Sequence, residues 1–130
     1  MKLRMEDGLP LVSLTLTHQQ KSINLDNILL DTGCSKTIFD TDILEQIGID
    51  LDLVNGQTRV MYGVGGRGEL CYEQTVENLS VGSFLLSSFQ LQLGLISDSY
   101  GFDGILGVDF MIAAGLKIDF KRMKIDYQPE

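Results

Sequence analysis

The amino-acid sequence predicts a mainly β protein with two short helices and an internal pseudo-two-fold repeat. Apolar and polar residues alternate along most of the chain with the period of a β-strand, and turn-forming residues interrupt this alternation at short intervals. Helical spacing of apolar residues occurs in only two short stretches. Similar segments also recur at one constant offset in the two halves of the chain.

The first predicted element is a β-hairpin. Residues 9–17 and 22–30 are predicted strands, the first with apolar and polar residues alternating from Val12 onward, and residues 19–21 lie between them as a turn. The second run becomes fully apolar before it reaches Asp31. This pattern predicts a buried strand that places a carboxylate at its carboxyl end.

The stretch around Asp31 is the main candidate for chemistry. Thr32 and Gly33 allow the backbone to reverse just after the acid. A carboxylate at the end of a buried strand is partly desolvated, which raises its pKa unless hydrogen bonds or a cation stabilise the charge. Such an acid is suited to proton transfer. The alternative is a purely structural Asx-type turn that closes the strand.

A short extended segment and a short helix are predicted next. Residues 37–39 are extended, and the Asp-Thr-Asp sequence at 40–42 supplies N-cap candidates. The apolar residues of the helix lie on one face, and Gly48 suits the position where the helix ends.

A second hairpin is predicted from residues 58–62 and 69–76, which flank four glycines between Gly63 and Gly68. Glycine makes this tip pliable, so the segment is either a mobile flap or merely a loose hairpin. A phosphate-binding loop is disfavoured because no helix follows and no Lys-Ser/Thr pair is present.

The remaining elements complete the mainly β pattern. Asp109 is predicted to cap a second helix at residues 110–114, which Gly115 ends. The predicted β segments are a hairpin at 79–86, strands at 89–93 and 103–107, and a closing hairpin at 116–120 and 123–127.

The internal repeat has an offset of 67 residues. Asp42 corresponds to Asp109 and Gly48 to Gly115, so each half is predicted to hold a strand, a capped helix, a glycine and another strand. The same offset carries the Asp31 triplet onto residues 98–100, where no second Asp-Thr-Gly occurs. One chain therefore has one such acid. The alternative is that short helix-strand units resemble one another by chance.

Composition limits the possible functions. A chain of 130 residues with 44% hydrophobic and 22% charged residues is expected to form one globular domain over residues 1–130. The net charge is −8 and the only basic cluster is at residues 121–124, so nucleic acid is not an expected partner.

Compartment and metal binding are also constrained. The charged N-terminus is unlike a secretion signal, and no apolar run is long enough for a membrane helix. Two cysteines, Cys34 and Cys71, and a single histidine fit a reducing cytoplasm and offer no metal ligand cluster. No metal, cofactor or membrane contact is expected.

Three separated segments together resemble the retropepsin-like aspartic proteases, particularly the single-lobe forms of bacteria and retrotransposons. The resemblance covers roughly residues 9–120, and the order of its motifs is the order found in the family. The segments are Leu-Leu-Asp-Thr-Gly-Cys-Ser at 29–35, Tyr-Gly-Val-Gly-Gly at 62–66, and Asp-Gly-Ile-Leu-Gly-Val-Asp-Phe-Met at 103–111.

The resemblance implies a closed, barrel-like lobe and an aspartic endopeptidase that acts on peptide or protein substrates as a homodimer. Asp31 of each subunit would form a carboxylate pair that shares one proton and activates a water. Thr32 would hydrogen-bond across the two-fold axis, and Gly33 would let substrate and water approach the backbone.

The resemblance also assigns supporting roles. The flap that closes over the substrate would consist of Met61, Tyr62, Gly63, Val64, Gly65 and Gly66. The residues that support the active site would be Cys34, Ser35, Ile105, Leu106 and Gly107. Asp109 would be a helix cap rather than a catalytic group.

Cys34 departs from the family pattern, in which Ser or Ala usually follows the triplet. The thiol is a weak hydrogen-bond donor, and it either fills a tight turn or acts as a redox brake on the neighbouring acid. Two other functions stay open at this stage: a catalytically silent peptide-binding module with the same fold, and a redox protein that uses its cysteines.

Overall fold

The computed structural model describes residues 1–62 and 68–127, and this part of the chain confirms the mainly β class. The helices are α1 (Thr41–Gln46), α2 (Ile96–Tyr100) and α3 (Val108–Ala114). The strands are β1 (Lys2–Glu6), β2 (Leu9–His18), β3 (Lys21–Leu30), β4 (Ile38–Asp40), β5 (Gln57–Tyr62), β6 (Gly68–Val81), β7 (Phe84–Gly94), β8 (Gly104–Leu106), β9 (Lys117–Asp119) and β10 (Lys124–Asp126).

Six of these strands close into a barrel. They pair in the order β2, β3, β8, β4, β7 and β6, and β6 returns to β2 through the pairs Leu16–Val81 and His18–Leu79. β1 and β5 extend the sheet at its two ends, and among the described residues β9 pairs only with β10. Closure removes exposed sheet edges from the centre of the fold.

The core lies inside this barrel because strand residues alternate between its two faces. Leu16 of β2 and Leu79 of β6 are fully buried, and Phe39 and Phe110 fill the space beside them. Burying these side chains supplies about 1.5–3 kcal/mol each relative to exposure. The alternation in the sequence therefore predicts both the strands and the inward faces.

The predicted hairpins are confirmed, and two of the strands are longer than expected. β2 and β3 meet at a two-residue turn in which Gln19 and Gln20 have φ of 48° and 69°. β6 continues without interruption through residues 68–81, and β7 through 84–94, so the predicted hairpin about Gly82 is the end of one long β-ribbon. Pairing between the two strands overrides the weak local signals around residues 77–78 and 87–88.

Two elements were not predicted from the sequence. β1 pairs with β2 through a turn at Asp7 and Gly8, and only Leu3 of its five residues is buried. The charged residues of β1 leave no clear alternation of apolar and polar residues in its sequence. α2 has the left-handed Gly101 after its last residue but no capping side chain at its start, so it lacks an N-terminal signal.

The internal repeat is present in the central helices and strands. α1 and α3 begin 67 residues apart, and the corresponding residues Ile38 and Ile105 pair directly across β4 and β8. The helix ends also correspond, because Ile49 N–H donates to Leu44 O at 2.9 Å and Leu116 N–H donates to Met111 O at 3.0 Å. A pseudo-two-fold axis therefore passes between β4 and β8.

The repeat is imperfect at both of its ends. β9 follows α3, but residues 49–56 form a turn-rich segment where a strand was expected. Leu29 of β3 pairs with Ile105, and Gln92 of β7 pairs with the corresponding residue Ile38. Leu29 and Gln92 therefore correspond to each other, and they are 63 residues apart. Between Gln92 and Ile105 the second half therefore has four more residues than the first half has between Leu29 and Ile38, and α2 lies in this longer segment. With the offset of 63, the residue that corresponds to Asp31 is Gly94 and not residue 98.

Candidate active site

Asp31 lies at the carboxyl ends of two neighbouring parallel strands. Leu30 is the last residue of β3 and pairs with Leu106 of β8, and the Asp31 N–H donates to Leu106 O at 3.0 Å. The Asp31 side chain is half-buried. The barrel therefore places this carboxylate at an edge where it reaches solvent while its backbone is held by the sheet.

The loop after Asp31 turns tightly and exposes its next two residues. The Gly33 N–H donates to Asp31 Oδ1 at 2.9 Å, and the Cys34 N–H donates to Asp31 O at 3.1 Å. This is the Asx-type geometry that the sequence allowed. Within residues 1–62 and 68–127 the carboxylate accepts no other hydrogen bond, so Oδ2 is available for another group.

The predicted support segment lies directly beneath this loop. Leu106 is buried, Ile105 is half-buried, and Gly107 leads into α3. The Val108 N–H donates to Cys34 O at 2.8 Å, and the Asp109 N–H donates to Ser35 O at 3.3 Å. The start of α3 is therefore hydrogen-bonded to the Asp31 loop.

Thr37 and Asp109 complete this attachment. Thr37 is 1% exposed; its hydroxyl donates to Asp109 Oδ1 at 2.7 Å and accepts the Gly107 N–H at 3.0 Å. The prediction that Asp109 is the N-cap of the second helix was wrong, because Gly107 occupies that position and Asp109 lies in the first turn. Gly107 has an extended backbone, and its N–H hydrogen bond to Thr37 attaches the end of β8 to the residues that follow the Asp31 loop. Sequence reasoning missed Thr37, since a single threonine before an apolar run carries no distinctive signal.

Cys34 packs into the loop and does not donate to the Asp31 carboxylate. Its Sγ donates to Lys36 O at 3.1 Å. Burial raises the pKa of the Cys34 thiol, the Lys36 hydrogen bond opposes this, and the negative charges of Asp31 and Asp109 raise it further. The thiol is thus held in its protonated form at neutral pH, as expected for a side chain that fills a turn.

The raised thiol pKa values predict a loss of stability in alkali. Burial, and secondarily the nearby Glu73, also raises the pKa of Cys71 above 9.0. A folded-state pKa above the unfolded value stabilises the fold at lower pH, and this contribution is lost as pH rises through the folded-state pKa. We expect a lower urea midpoint at pH 10.5 than at pH 8. A Cys34→Ala/Cys71→Ala double variant should lose less over the same interval; an equal loss would contradict the assignment.

The arms of the predicted flap hairpin are present, and its tip lies outside the described residues. Met61 of β5 pairs with Glu69 of β6, and the backbone of Tyr62 pairs with Gly68. The residues assigned to the tip, Gly63, Val64, Gly65 and Gly66, are not among those that the structure describes. Met61 is half-buried against a small apolar cluster of Ile38, Cys71 and Ile96.

A cavity of about 340 Å³ opens beside these arms. It is lined by Ile38, Met61, Glu69, Leu70, Cys71, Gly94, Leu95, Ile96 and Ser99. Gly94, which corresponds to Asp31 in the repeat, lies in its wall, so the cavity is next to the pseudo-two-fold axis. A larger cavity of about 880 Å³, between β1, β2, β3 and the β6–β7 turn, contains none of the predicted site residues.

Residues 1–62 and 68–127 contain neither a candidate metal site nor a membrane-spanning helix. No group of three or more His, Cys, Asp or Glu side chains in this part of the chain could hold a metal ion. None of its helices is long and apolar enough to cross a membrane.

Comparison with known proteins agrees with this geometry. The sequence pattern of the aspartyl protease family matches residues 14–110. The fold is similar to the crystal structure of the retroviral protease-like domain of Ddi1 from Leishmania major, with a TM-score of 0.53, 16% sequence identity, and coverage of 92% of this chain and 90% of that one. No curated protein sequence matches the chain. The family pattern spans the Asp31 loop, the β5–β6 hairpin and the start of α3, and this chain therefore belongs to the aspartyl protease family and has a retropepsin-like fold.

Proposed function

We propose that this chain is an aspartic endopeptidase that hydrolyses peptide bonds as a homodimer. The observation that carries the proposal is the position of Asp31: a half-buried carboxylate at the ends of β3 and β8, in a loop whose Thr32 and Gly33 are exposed. A rigid loop with an accessible carboxylate is suited to general acid-base chemistry.

The second carboxylate of the proposed catalyst comes from a second copy of the chain. Gly94 stands where the repeat would place a second acid, and Asp109 is already engaged by Thr37. A symmetric dimer brings identical residues together at its axis, which is the arrangement that one triplet per chain requires. The exposed hydroxyl of Thr32 is available for a hydrogen bond to the partner's loop.

The proposed mechanism uses one shared proton. Two carboxylates at close range cannot both ionise, so the pair titrates as a unit. The ionised member takes a proton from water as the water attacks the peptide carbonyl, and the protonated member donates to the carbonyl oxygen.

The substrate is proposed to bind as an extended segment. It would lie between the Asp31 loops and the β5–β6 hairpins, with residues 61–66 as the flap that excludes water and adds main-chain hydrogen bonds. The free thiols of Cys34 and Cys71 support a reducing compartment such as the cytoplasm.

Subunit mixing tests both the activity and the dimer. Wild-type protein that cleaves a mixed peptide library is combined with increasing amounts of Asp31→Asn protein and allowed to exchange subunits. At equal amounts, random pairing leaves about one quarter of dimers with two wild-type chains, so activity per wild-type chain should fall by about half. Mixing with Asp7→Asn protein, altered in an exposed turn, should cause no fall.

Two results would contradict the proposal. Activity that stays proportional to the wild-type protein added would mean that one subunit suffices. Peptide binding without cleavage by the wild-type protein would instead favour the catalytically silent binding module.

A further inference from the structure

We propose that the 340 Å³ cavity beside the β5–β6 hairpin binds a lysine or arginine side chain of the substrate. The inference rests on the function proposed above and names a substrate class for that site. The cavity offers an apolar interior and an acidic rim, which match the apolar stem and cationic end of these side chains.

The interior of the cavity is apolar and is kept open by a glycine. Ile38, Cys71 and Ile96 are all buried there, with at most 5% of each residue exposed. A Cβ atom on Gly94 would lie 3.1 Å from Ile38 Cδ1 and 3.7 Å from Cys71 Cβ, so any side chain at this position would occupy the interior. The space is therefore available to a long, slender substituent.

The rim next to β6 is polar and acidic. Glu69 of β6 and Ser99 of α2 both line the cavity, so an acidic side chain and α2 border the same opening. Glu73, the next acid on the same face of β6, is instead paired with Arg59 at 3.4 Å and with Gln92 at 3.1 Å.

Two leucines connect the interior to the rim. Leu70 is 74% exposed and Leu95 is 61% exposed, although both line the cavity. The methylene groups of a lysine or arginine side chain would cover these surfaces while its cationic group reached Glu69. A leucine or phenylalanine side chain would cover the same surface but would leave the carboxylate without a counter-charge.

The wall formed by α2 is specific to the second half of this chain. The four extra residues relative to the first half place α2 at the cavity, and the Ser97 N–H donates to Asp40 Oδ1 at 2.9 Å. Asp40 is 4% exposed and also caps α1, so α2 is attached to the barrel through a buried group. The rim is therefore a defined part of the fold.

The test compares pairs of peptides that have either lysine or norleucine at one position and are otherwise identical. The varied position is moved in turn through each residue around a cleaved bond. Norleucine has a similar stem without the charge. At one position, wild-type kcat/KM should be about 3- to 10-fold higher for lysine, the range expected for a partly solvated ion pair. The ratio should fall to about 1 in Glu69→Gln. It should persist in Glu77→Gln, a control at an exposed acid farther along β6.

Binding of the same peptides to Asp31→Asn protein, measured by fluorescence anisotropy, separates failure of this inference from failure of the proposed function. A lysine preference in binding that disappears in Asp31→Asn/Glu69→Gln supports the inference even if no peptide is cleaved. Equal affinity for lysine and norleucine peptides at every position, or a lysine preference that survives Glu69→Gln, would overturn it.

Discussion

Replacing Asp31 by Asn is expected to lower kcat/KM for peptide hydrolysis by at least about 10³-fold, because general acid-base groups typically contribute 10²–10⁴-fold and a homodimer loses both of its carboxylates. An amide cannot accept a proton from the attacking water or share one with its neighbour. The measurement is cleavage of a fluorogenic peptide that the wild-type protein has been shown to cut.

The loss of activity in Asp31→Asn should come from the missing carboxylate and not from unfolding of the protein. The Asp31 side chain accepts only the Gly33 N–H at 2.9 Å among the described residues, and an asparagine carbonyl oxygen can accept the same hydrogen bond. We therefore expect the melting temperature of Asp31→Asn to stay within a few degrees of the wild type, the usual size of a change below about 1 kcal/mol. Retained activity in a folded variant would remove Asp31 from the mechanism.

Replacing Gly107 by Ala is expected to destabilise the fold by about 3 kcal/mol or more, the upper range for overpacking a close-packed site. A Cβ atom here would lie 2.5 Å from Lys36 O and 2.8 Å from Cys34 O. Both contacts are with backbone atoms of the Asp31 loop, which cannot move aside without breaking the bond from Val108 N–H to Cys34 O. Urea unfolding provides the measurement.

Gly94→Ala is the matched control, because Gly94 is also a tightly packed glycine. Its nearest contact would be Ile38 Cδ1 at 3.1 Å, the end of a side chain that can shift. We expect a cost below about 1.5 kcal/mol for this change. If the two variants unfold at the same urea concentration, Gly107 does not secure the loop in the way described. Any Gly107→Ala protein that remains folded should also show reduced kcat, because the loop carries Asp31.

Most of the β-structure could be predicted from the sequence, because its signals are local. Alternation in residues 12–17 determines both a strand and the face that it buries. Gly48 and Gly115 occupy positions with φ of 82° and 58° that glycine adopts without strain. β1 escaped prediction because one buried leucine among charged residues forms no pattern. The extent of β6 and β7 depended on each strand having the other as a partner.

The sequence by itself determined that Asp31 ends a buried strand, that no second Asp-Thr-Gly occurs in the chain, and that its halves repeat. Only the tertiary structure decided which residues surround that acid. Thr37 and Asp109 are 72 positions apart and Cys34 and Val108 are 74 apart, yet each pair is hydrogen-bonded because β3 and β4 both pair with β8. The pairing of β4 with β7 assigned Gly94 to the place of a second acid, and Glu69 of β6 and Ser99 of α2 line one cavity. Hydrogen-bond geometry across a closed barrel creates these neighbours, and no periodicity along the chain encodes them.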